Sequence, residues 1–323
     1  MSRTLPIKIS VVGLYKDSRV SPYTNLTYTD ILRNSGFTIC EINQSPEMII
    51  CIDYLDSISF DFSAAPTSRK VLIRNEPEVV LPSSYSQRVC KNFDEIITLG
   101  TSMNFPWPQT FPDKVFAESE KDRVPNRQVF INSNKFSFVA GELYSLRLEV
   151  ISQIESVDTF GKDWDKSKLW KVKKCLVHLK RAIMVNCDLT FNTLKFFWRK
   201  PLNLQGSPID KLEIYRGYKV AIVIENSAEY LSEKLFDAFF GGCIPVYVGP
   251  SVELFGVPRD LVVQVGPTLN EVKRGISIAE TLDYDLWKLR LETWITKEEV
   301  RNTWLADRVY TRLAMHLSDF LDS

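Results

Sequence analysis

The chain alternates short apolar runs with polar or helical stretches, and this alternation predicts most of its strands. Five such runs occupy the first hundred residues, at 8–15, 37–42, 48–54, 70–74 and 93–99. Short apolar runs separated by helical or irregular segments are typical of strands in a parallel sheet. We therefore predict an α/β domain here, with a short helix over residues 25–34 that Gly36 closes.

A second series of strands and helices follows a segment rich in proline. Pro106, Pro108 and Pro112 indicate an irregular connection. Beyond it, residues 128–133, 157–160, 218–224, 243–248 and 261–265 predict strands, and residues 142–154 have helical apolar spacing. We predict an N-terminal domain over 1–124, a C-terminal domain over 125–302, and an amphipathic helix over 303–323 that packs back on the first domain.

The most informative segment joins the strand at 218–224 to a polar loop and a helix that ends at Gly241-Gly242. Ligands of open α/β sheets bind at the carboxyl ends of strands. Hydroxyl, amide and carboxylate groups suit a sugar, and a lysine at a helix start suits a phosphate. The polar side chains are Glu225, Asn226, Ser227, Tyr230, Glu233 and Lys234. A solvated helix start with capping and ion-pair roles is the alternative.

Composition restricts the partners. The chain has 323 residues, and its 40 Lys and Arg residues equal its 40 Asp and Glu residues, so no overall positive charge favours nucleic acid. No run approaches the roughly 20 apolar residues of a membrane-spanning helix. Six widely spaced cysteines fit a reducing compartment, so we expect a cytoplasmic protein. The basic stretch at 166–181 could contact nucleic acid or an anionic surface, but a solvated helix face is the simpler interpretation.

The polar loop has a counterpart in a known family. The run Glu225-Asn226-Ser227, a spacer, Tyr-Leu-Ser-Glu-Lys-Leu at 230–235 and Ile-Pro-Val-Tyr-Val-Gly at 244–249 resembles the C-terminal motif of α-1,3/4-fucosyltransferases, glycosyltransferase family 10. Ile224 replaces the usual Phe, and the spacer before Tyr230 is shorter. Several fixed spacings within one contiguous stretch are more specific than a lone glycine motif.

The resemblance implies roles for further residues. Arg147, in a helix before Val157-Asp158-Thr159-Phe160-Gly161, is similar to the family's donor-diphosphate arginine, and guanidinium binds two phosphate oxygens at once. Glu76, in Arg74-Asn75-Glu76-Pro77, resembles the family's catalytic base, with Glu78 as a competitor. Tyr218, Glu225 and Ser227 are further donor-site candidates.

The implied protein is an inverting GT-B transferase with two facing Rossmann-like domains and a site in the cleft between them. It would transfer fucose from GDP-fucose to a glycan hydroxyl, with an α-1,3 linkage to a GlcNAc- or Glc-type sugar. Lysine and arginine would replace a required metal, although stimulation by Mn²⁺ or Mg²⁺ stays open. A GT-B transferase for another nucleotide sugar, or a non-catalytic protein that binds glycans or nucleotides on this scaffold, is the alternative.

Overall fold

The computed structural model describes residues 6–18, 27–55, 62–112, 123–195 and 197–323. The chain divides into two compact units, one made of Met1–Thr110 and Arg301–Ser323, the other of Phe111–Val300. The first unit thus includes the C-terminal residues of the chain. The boundary predicted at residues 124–125 lies inside the second unit.

Strands and helices are numbered in chain order. The strands are β1 (Lys8–Gly13), β2 (Thr38–Ile39), β3 (Met48–Ile52), β4 (Arg69–Arg74), β5 (Glu95–Thr98), β6 (Gln128–Ile131), β7 (Val157–Phe160), β8 (Asn203–Gly206), β9 (Val220–Ile224), β10 (Ile244–Val248) and β11 (Val263–Gln264). The α-helices are α1 (Tyr28–Asn34), α2 (Gln87–Cys90), α3 (Tyr144–Gln153), α4 (Lys168–Met184), α5 (Asn192–Lys195), α6 (Lys211–Arg216), α7 (Lys234–Phe240), α8 (Leu269–Thr281), α9 (Tyr284–Ile295), α10 (Glu298–Trp304) and α11 (Ala306–Asp322). Among the described residues, no helix has the length and apolar character that a membrane crossing requires.

The first unit contains a parallel sheet with the order β2-β1-β3-β4-β5. All five residues of the central strand β3 are buried, as expected where both faces of a parallel sheet are covered. The five predicted strands are confirmed. The strand predicted at 37–42 is observed only over the two residues of β2, and a 3₁₀ turn over Ile42–Gln44 includes the last predicted residue.

Helices at the two ends of the first unit share one core. Helix α1 begins with a capping box in which Thr27 and Asp30 exchange hydrogen bonds; the predicted positions 25–26 lie outside the described residues. Helix α11 buries Val309, Leu313 and Leu317 in the core that also contains residues of β1 and β3. Trp304 belongs to α10 instead of α11, because the backbone of Gln109 pairs with Trp304 and Ala306 and separates the two helices.

The second unit contains a six-stranded parallel sheet with the order β11-β10-β9-β6-β7-β8. If β6 is numbered as strand 1 and the sheet is read from β8 to β11, the order is 3-2-1-4-5-6. This is the strand order of doubly wound nucleotide-binding sheets. All residues of β9 and β10 are buried. The predicted strands and the helix now observed as α3 are confirmed, and the strand order reverses between β6 and β9.

Candidate functional site

The reversal point of the second sheet collects several of the predicted site residues. Helix α3 follows β6, and the polar loop over residues 225–233 follows β9, so both leave the sheet at the carboxyl ends of neighbouring strands. The loop before α3 pairs with the polar loop, since Leu143 N donates to Asn226 O at 3.0 Å. Ligands of doubly wound sheets bind where the strand order reverses.

Arg147 joins the ends of the two neighbouring strands. Its Nε and Nη2 donate to the carbonyl oxygen of Ile224 at 3.1 and 2.6 Å, and Nη2 also donates to Asn226 Oδ1 at 3.0 Å. A longer bond of 3.4 Å runs from Nη1 to Asn132 Oδ1, after β6. Arg147 is only 3% exposed, and burial lowers its pKa while nearby carboxylates oppose that effect. The predicted donor arginine therefore forms a fixed part of the strand ends.

At the same edge of the sheet, the backbone of Gly161 lies very close to that of Asn132. Gly161 follows β7, and a Cβ there would overlap the carbonyl oxygen of Asn132. The same oxygen accepts a hydrogen bond from Trp164 Nε1 at 2.9 Å. A side chain at position 161 would push these strand ends apart, so the glycine in the predicted V-D-x-F-G segment has a packing reason.

Glu225, at the start of the polar loop, forms an ion pair with Lys234, the first residue of α7. Lys234 Nζ lies 3.2 Å from Glu225 Oε2 and 2.8 Å from Ser232 Oγ. Ser232 binds the same carboxylate through its backbone N–H and its hydroxyl. The Glu225 side chain is fully buried, whereas that of Lys234 is 22% exposed. Helix α7 has only seven residues, so the ammonium group, more than the helix dipole, supplies positive charge here.

A second set of charges lies beside this pair. Lys211 Nζ lies 3.6 Å from Glu233 Oε1 and 3.0 Å from Asp237 Oδ2. Burial opposes the ionisation of Glu233, but Lys234 and Lys211 outweigh it and hold the pKa of Glu233 well below its usual range. Burial raises the pKa of Asp237 despite the opposing effect of Lys211. Two lysines, Lys211 and Lys234, thus pair with the three carboxylates of Glu225, Glu233 and Asp237.

The remaining loop residues differ in exposure. Asn226 is half-buried, Ser227 is 9% exposed and pairs as an isolated bridge with Glu142, and Tyr230 is 2% exposed. Glu142 is a further residue at this loop that the sequence did not indicate as a candidate. Its Oε2 accepts the Ser145 N–H at 2.8 Å, while its buried Oε1 has no hydrogen-bond partner within the described part of the chain. No motif marked Glu142, because only the fold brings it to residue 227.

Tyr218 is not brought together with the other candidates. It precedes β9 and lies at the amino ends of the strands, opposite the edge that carries Glu225. Its hydroxyl donates to Asp158 Oδ2 at 3.0 Å, and Arg127 binds both oxygens of the same carboxylate at 2.6 and 2.7 Å. This network holds the amino edge of the sheet, so we leave Tyr218 out of the donor site proposed below.

The first unit carries its own carboxylates at strand ends. Glu76 follows β4 and is half-buried, whereas Glu78 is exposed. Asp53 follows β3 and is fully buried, with its backbone in the left-handed region at φ 52°. Its Oδ1 accepts the Asn75 N–H at 3.0 Å, and its Oδ2 has no hydrogen-bond partner among the described residues.

The environment of Asp53 favours its neutral form. Burial, followed by the charge of Glu76, raises the pKa of Asp53 to about 8, and backbone N–H groups and Arg74 only partly oppose this. Asp53 therefore holds a proton at neutral pH beside the predicted base. The sequence contained the signal, because Asp53 interrupts the apolar run at 48–54 just as Glu76 follows the run at 70–74.

Neither a protein-family model nor a curated protein matches this sequence. Among solved structures, the chain is similar to an α1,3-fucosyltransferase crystallised with GDP, with 13% identity and a TM-score of 0.51 over 100% of this chain and 92% of that one. A second α1,3-fucosyltransferase structure has 15% identity and a TM-score of 0.52 over the same shares. The α,α-trehalose 6-phosphate synthase of Burkholderia multivorans has 12% identity and a TM-score of 0.51 over 91% of this chain and 76% of that one.

The chain has the GT-B fold. The predicted fold class is therefore confirmed, with a parallel α/β sheet in each unit. At identities of 12–15%, the likeness concerns the fold and leaves the sugar donor open. Within the described residues, no cluster of three or more His, Cys, Asp or Glu residues could hold a metal ion.

Proposed function

We propose that this chain is an inverting glycosyltransferase that moves L-fucose from GDP-fucose to a hydroxyl of an acceptor glycan, with an α-1,3 linkage to a GlcNAc- or Glc-type sugar. The observation that carries the proposal is the guanidinium of Arg147, fixed on Ile224 O and Asn226 Oδ1 where the strand order of the second sheet reverses. A buried cation at this point favours a ligand with a diphosphate. The fucosyltransferase-like motif supplies the adjoining loop.

The donor site would use the residues of this loop. Arg147 and the partly exposed Lys234 would neutralise the diphosphate, because charge that grows on a leaving phosphate is best stabilised by groups already in place. Lys234 has three N–H donors, of which Glu225 and Ser232 take two within the described residues. Asn226, Tyr230 and Glu233 would position the sugar, ribose or phosphates.

The transfer step needs a base and a leaving group. Glu76 would take the proton from the acceptor hydroxyl while its oxygen forms a bond to the anomeric carbon of fucose. The bond between that carbon and the phosphate oxygen breaks, and its electron pair leaves with GDP. Lysine and arginine supply the positive charge in this scheme, so no metal is required, and Mn²⁺ or Mg²⁺ would act only as stimulants.

A transferase for another nucleotide sugar is the second candidate. The trehalose 6-phosphate synthase and the fucosyltransferase with GDP have the same TM-score of 0.51, so the fold does not choose the donor. The motif from Glu225 to Leu235 favours GDP-fucose. A non-catalytic protein on this scaffold is the third, and the joint presence of Glu76, Arg147, Glu233 and Lys234 argues for an enzyme.

The decisive experiment offers several nucleotide sugars, each with a small glycan array, and identifies the products. We expect GDP release and fucosylated product with GDP-fucose alone. Product from a different nucleotide sugar would support the second candidate, and nucleotide binding without turnover would support the third. The six widely spaced cysteines are consistent with a reducing compartment, so a cytoplasmic location is part of the proposal.

A further inference from the structure

Helix α4 of the second unit exposes its apolar side. Its two buried residues are Lys171, 4% exposed, and Ala182, 1% exposed. Four large apolar side chains at helical spacing form an exposed stripe, with exposures of 64%, 37%, 61% and 58% for Leu169, Val172, Leu176 and Ile183. Helices of soluble proteins normally bury their apolar stripe, whereas α4 exposes it.

The exposed apolar surface continues beyond the helix. Of the 20 large hydrophobic residues exposed in the described structure, 13 lie between positions 169 and 209. They include aromatic side chains, with Phe191 52% and Trp198 56% exposed. Lys168 Nζ lies 5.8 Å from the centre of the Trp198 ring, which links this aromatic group to the start of α4. Large exposed apolar patches mark interaction sites.

The charges around the stripe have one sign. The segment 166–187 contains seven lysines and arginines and no Asp or Glu, in a chain whose total charge is zero. On the helix surface, Lys173 and Lys180 border the stripe and are exposed. A polybasic helix with an apolar outer face, next to an exposed Trp, is the pattern of segments that lie in the surface of an anionic membrane.

We propose that α4 and the adjoining residues 189–195 and 197–204 form a docking surface for an anionic lipid bilayer, with the apolar stripe inserted between headgroups and the lysines against lipid phosphates. A second copy of the chain is a poorer occupant, because two such helices would bring five exposed cations against five, at Lys168, Lys173, Lys174, Lys180 and Arg181. Nucleic acid would leave the aliphatic stripe without a partner. This surface does not depend on the function proposed above.

Sedimentation with vesicles tests the proposal on the full chain. We expect binding to phosphatidylcholine vesicles that contain about one third phosphatidylglycerol, and none to phosphatidylcholine alone. Raising the salt from about 0.1 M to about 1 M should weaken the binding, because the screening length falls from about 10 to about 3 Å. A protein that stays in the supernatant with anionic vesicles at low salt would overturn the proposal.

Paired variants locate the surface. Leu176→Asp should reduce binding about tenfold or more, since it removes an apolar side chain from the bilayer and adds a repelled charge. The matched control is Leu289→Asp, on helix α9 of the same unit, where the leucine is 59% exposed. Lys173→Glu with Lys180→Glu should reduce binding at least about 25-fold, because each cation contributes about fivefold near an anionic surface. Lys91→Glu with Lys273→Glu controls for total charge.

Two outcomes would contradict the assignment of α4 as the membrane-docking surface. Equal losses in the test and control variants would mean that binding is not located at α4. A concentration-dependent dimer that Leu176→Asp abolishes, without vesicle binding, would assign the stripe to a second copy of the chain. Unchanged circular dichroism and thermal unfolding of each variant establish that the fold is intact.

Discussion

The two sheets carry buried carboxylates at the ends of their central strands and neutralise them in different ways. In the second unit, Glu225 is fully buried and paired with Lys234 at 3.2 Å. In the first unit, Asp53 is fully buried, and its Oδ2 has no partner among the described residues. Burial without a paired cation raises the pKa of Asp53 and favours its neutral form. The carboxylate at the second edge is thus matched by a lysine, and the one at the first edge accepts a backbone N–H.

The largest expected effect concerns Glu76. Glu76→Gln keeps the size of the side chain but cannot accept a proton, so kcat should fall about 10²- to 10⁴-fold. The affinity for GDP-fucose, measured by calorimetry, should stay unchanged, because the proposed donor residues lie in the other unit. Glu78→Gln is the control, since Glu78 is exposed at the same turn. An active Glu76→Gln protein together with an inactive Glu78→Gln protein would move the base to Glu78.

Asp53 should make the stability of the protein depend on pH. Its pKa of about 8 in the folded protein exceeds the usual 3.8, so between these values the folded state binds more protons than the unfolded state. Stability therefore falls as the pH rises from about 4 to about 8 and levels off above. Asp53→Asn removes this loss, and asparagine tolerates the left-handed backbone. The variant should unfold with a free energy about 3–5 kcal/mol higher than wild type above pH 8, and close to wild type near pH 4.

Asp158 serves as the comparison, because its pKa is lowered whereas that of Asp53 is raised. Burial opposes the ionisation of Asp158, but Arg127 and Tyr218 outweigh it and lower the pKa of Asp158. Its contribution is present above the unfolded pKa and is lost as the pH falls through the folded one, so Asp158→Asn should destabilise at neutral pH and match wild type in acid. Urea unfolding at pH 5 and 8.5 follows the Asp53→Asn difference, and a measurement well below pH 3.8 tests the loss of the Asp158 contribution. An Asp53→Asn difference that does not grow with pH would remove Asp53 as a proton holder.

Much of the fold could be predicted because apolar periodicity is local. The runs that became β1, β3, β7 and β9 are recognisable within a few residues, and the strand-end rule identified the polar loop after β9. The break between α10 and α11 could not be predicted, because it depends on pairing with Gln109 from a distant part of the sequence. Local patterns define strands, and tertiary pairing defines where helices stop.

The candidate site likewise contains residues that a local motif identifies and residues that only the fold brings together. Glu225, Asn226 and Lys234 share one loop, so a contiguous motif was enough to group them. Glu142 reaches this loop only through the bridge to Ser227, and Tyr218 leaves it because one strand carries it to the opposite edge. Tyr218 and Glu225 are close in sequence but lie at opposite edges, since the two ends of a five-residue strand are about 13 Å apart.

A smaller effect is expected at Lys234. Lys234→Ala should weaken GDP binding about 10- to 100-fold, because a charge-assisted bond to phosphate is lost. The substitution also leaves Glu225 buried beside Ser232 without its cation, so thermal unfolding must accompany the calorimetry. Lys234→Arg should restore most of the affinity, and Lys273→Ala, on an exposed helix face, should change nothing. Unchanged GDP affinity in a folded Lys234→Ala protein would remove Lys234 from the phosphate role.

The smallest effect concerns Tyr218 and tests the separation of the two edges of the second sheet. Tyr218→Phe removes one of the hydrogen bonds to Asp158, which keeps both bonds from Arg127, so the free energy of unfolding should fall by only about 1 kcal/mol. GDP affinity should not change, because the hydroxyl lies at the amino ends of strands whose carboxyl ends carry Arg147 and Lys234. A stable Tyr218→Phe protein with weakened GDP binding would instead place the donor, or part of it, at the amino edge.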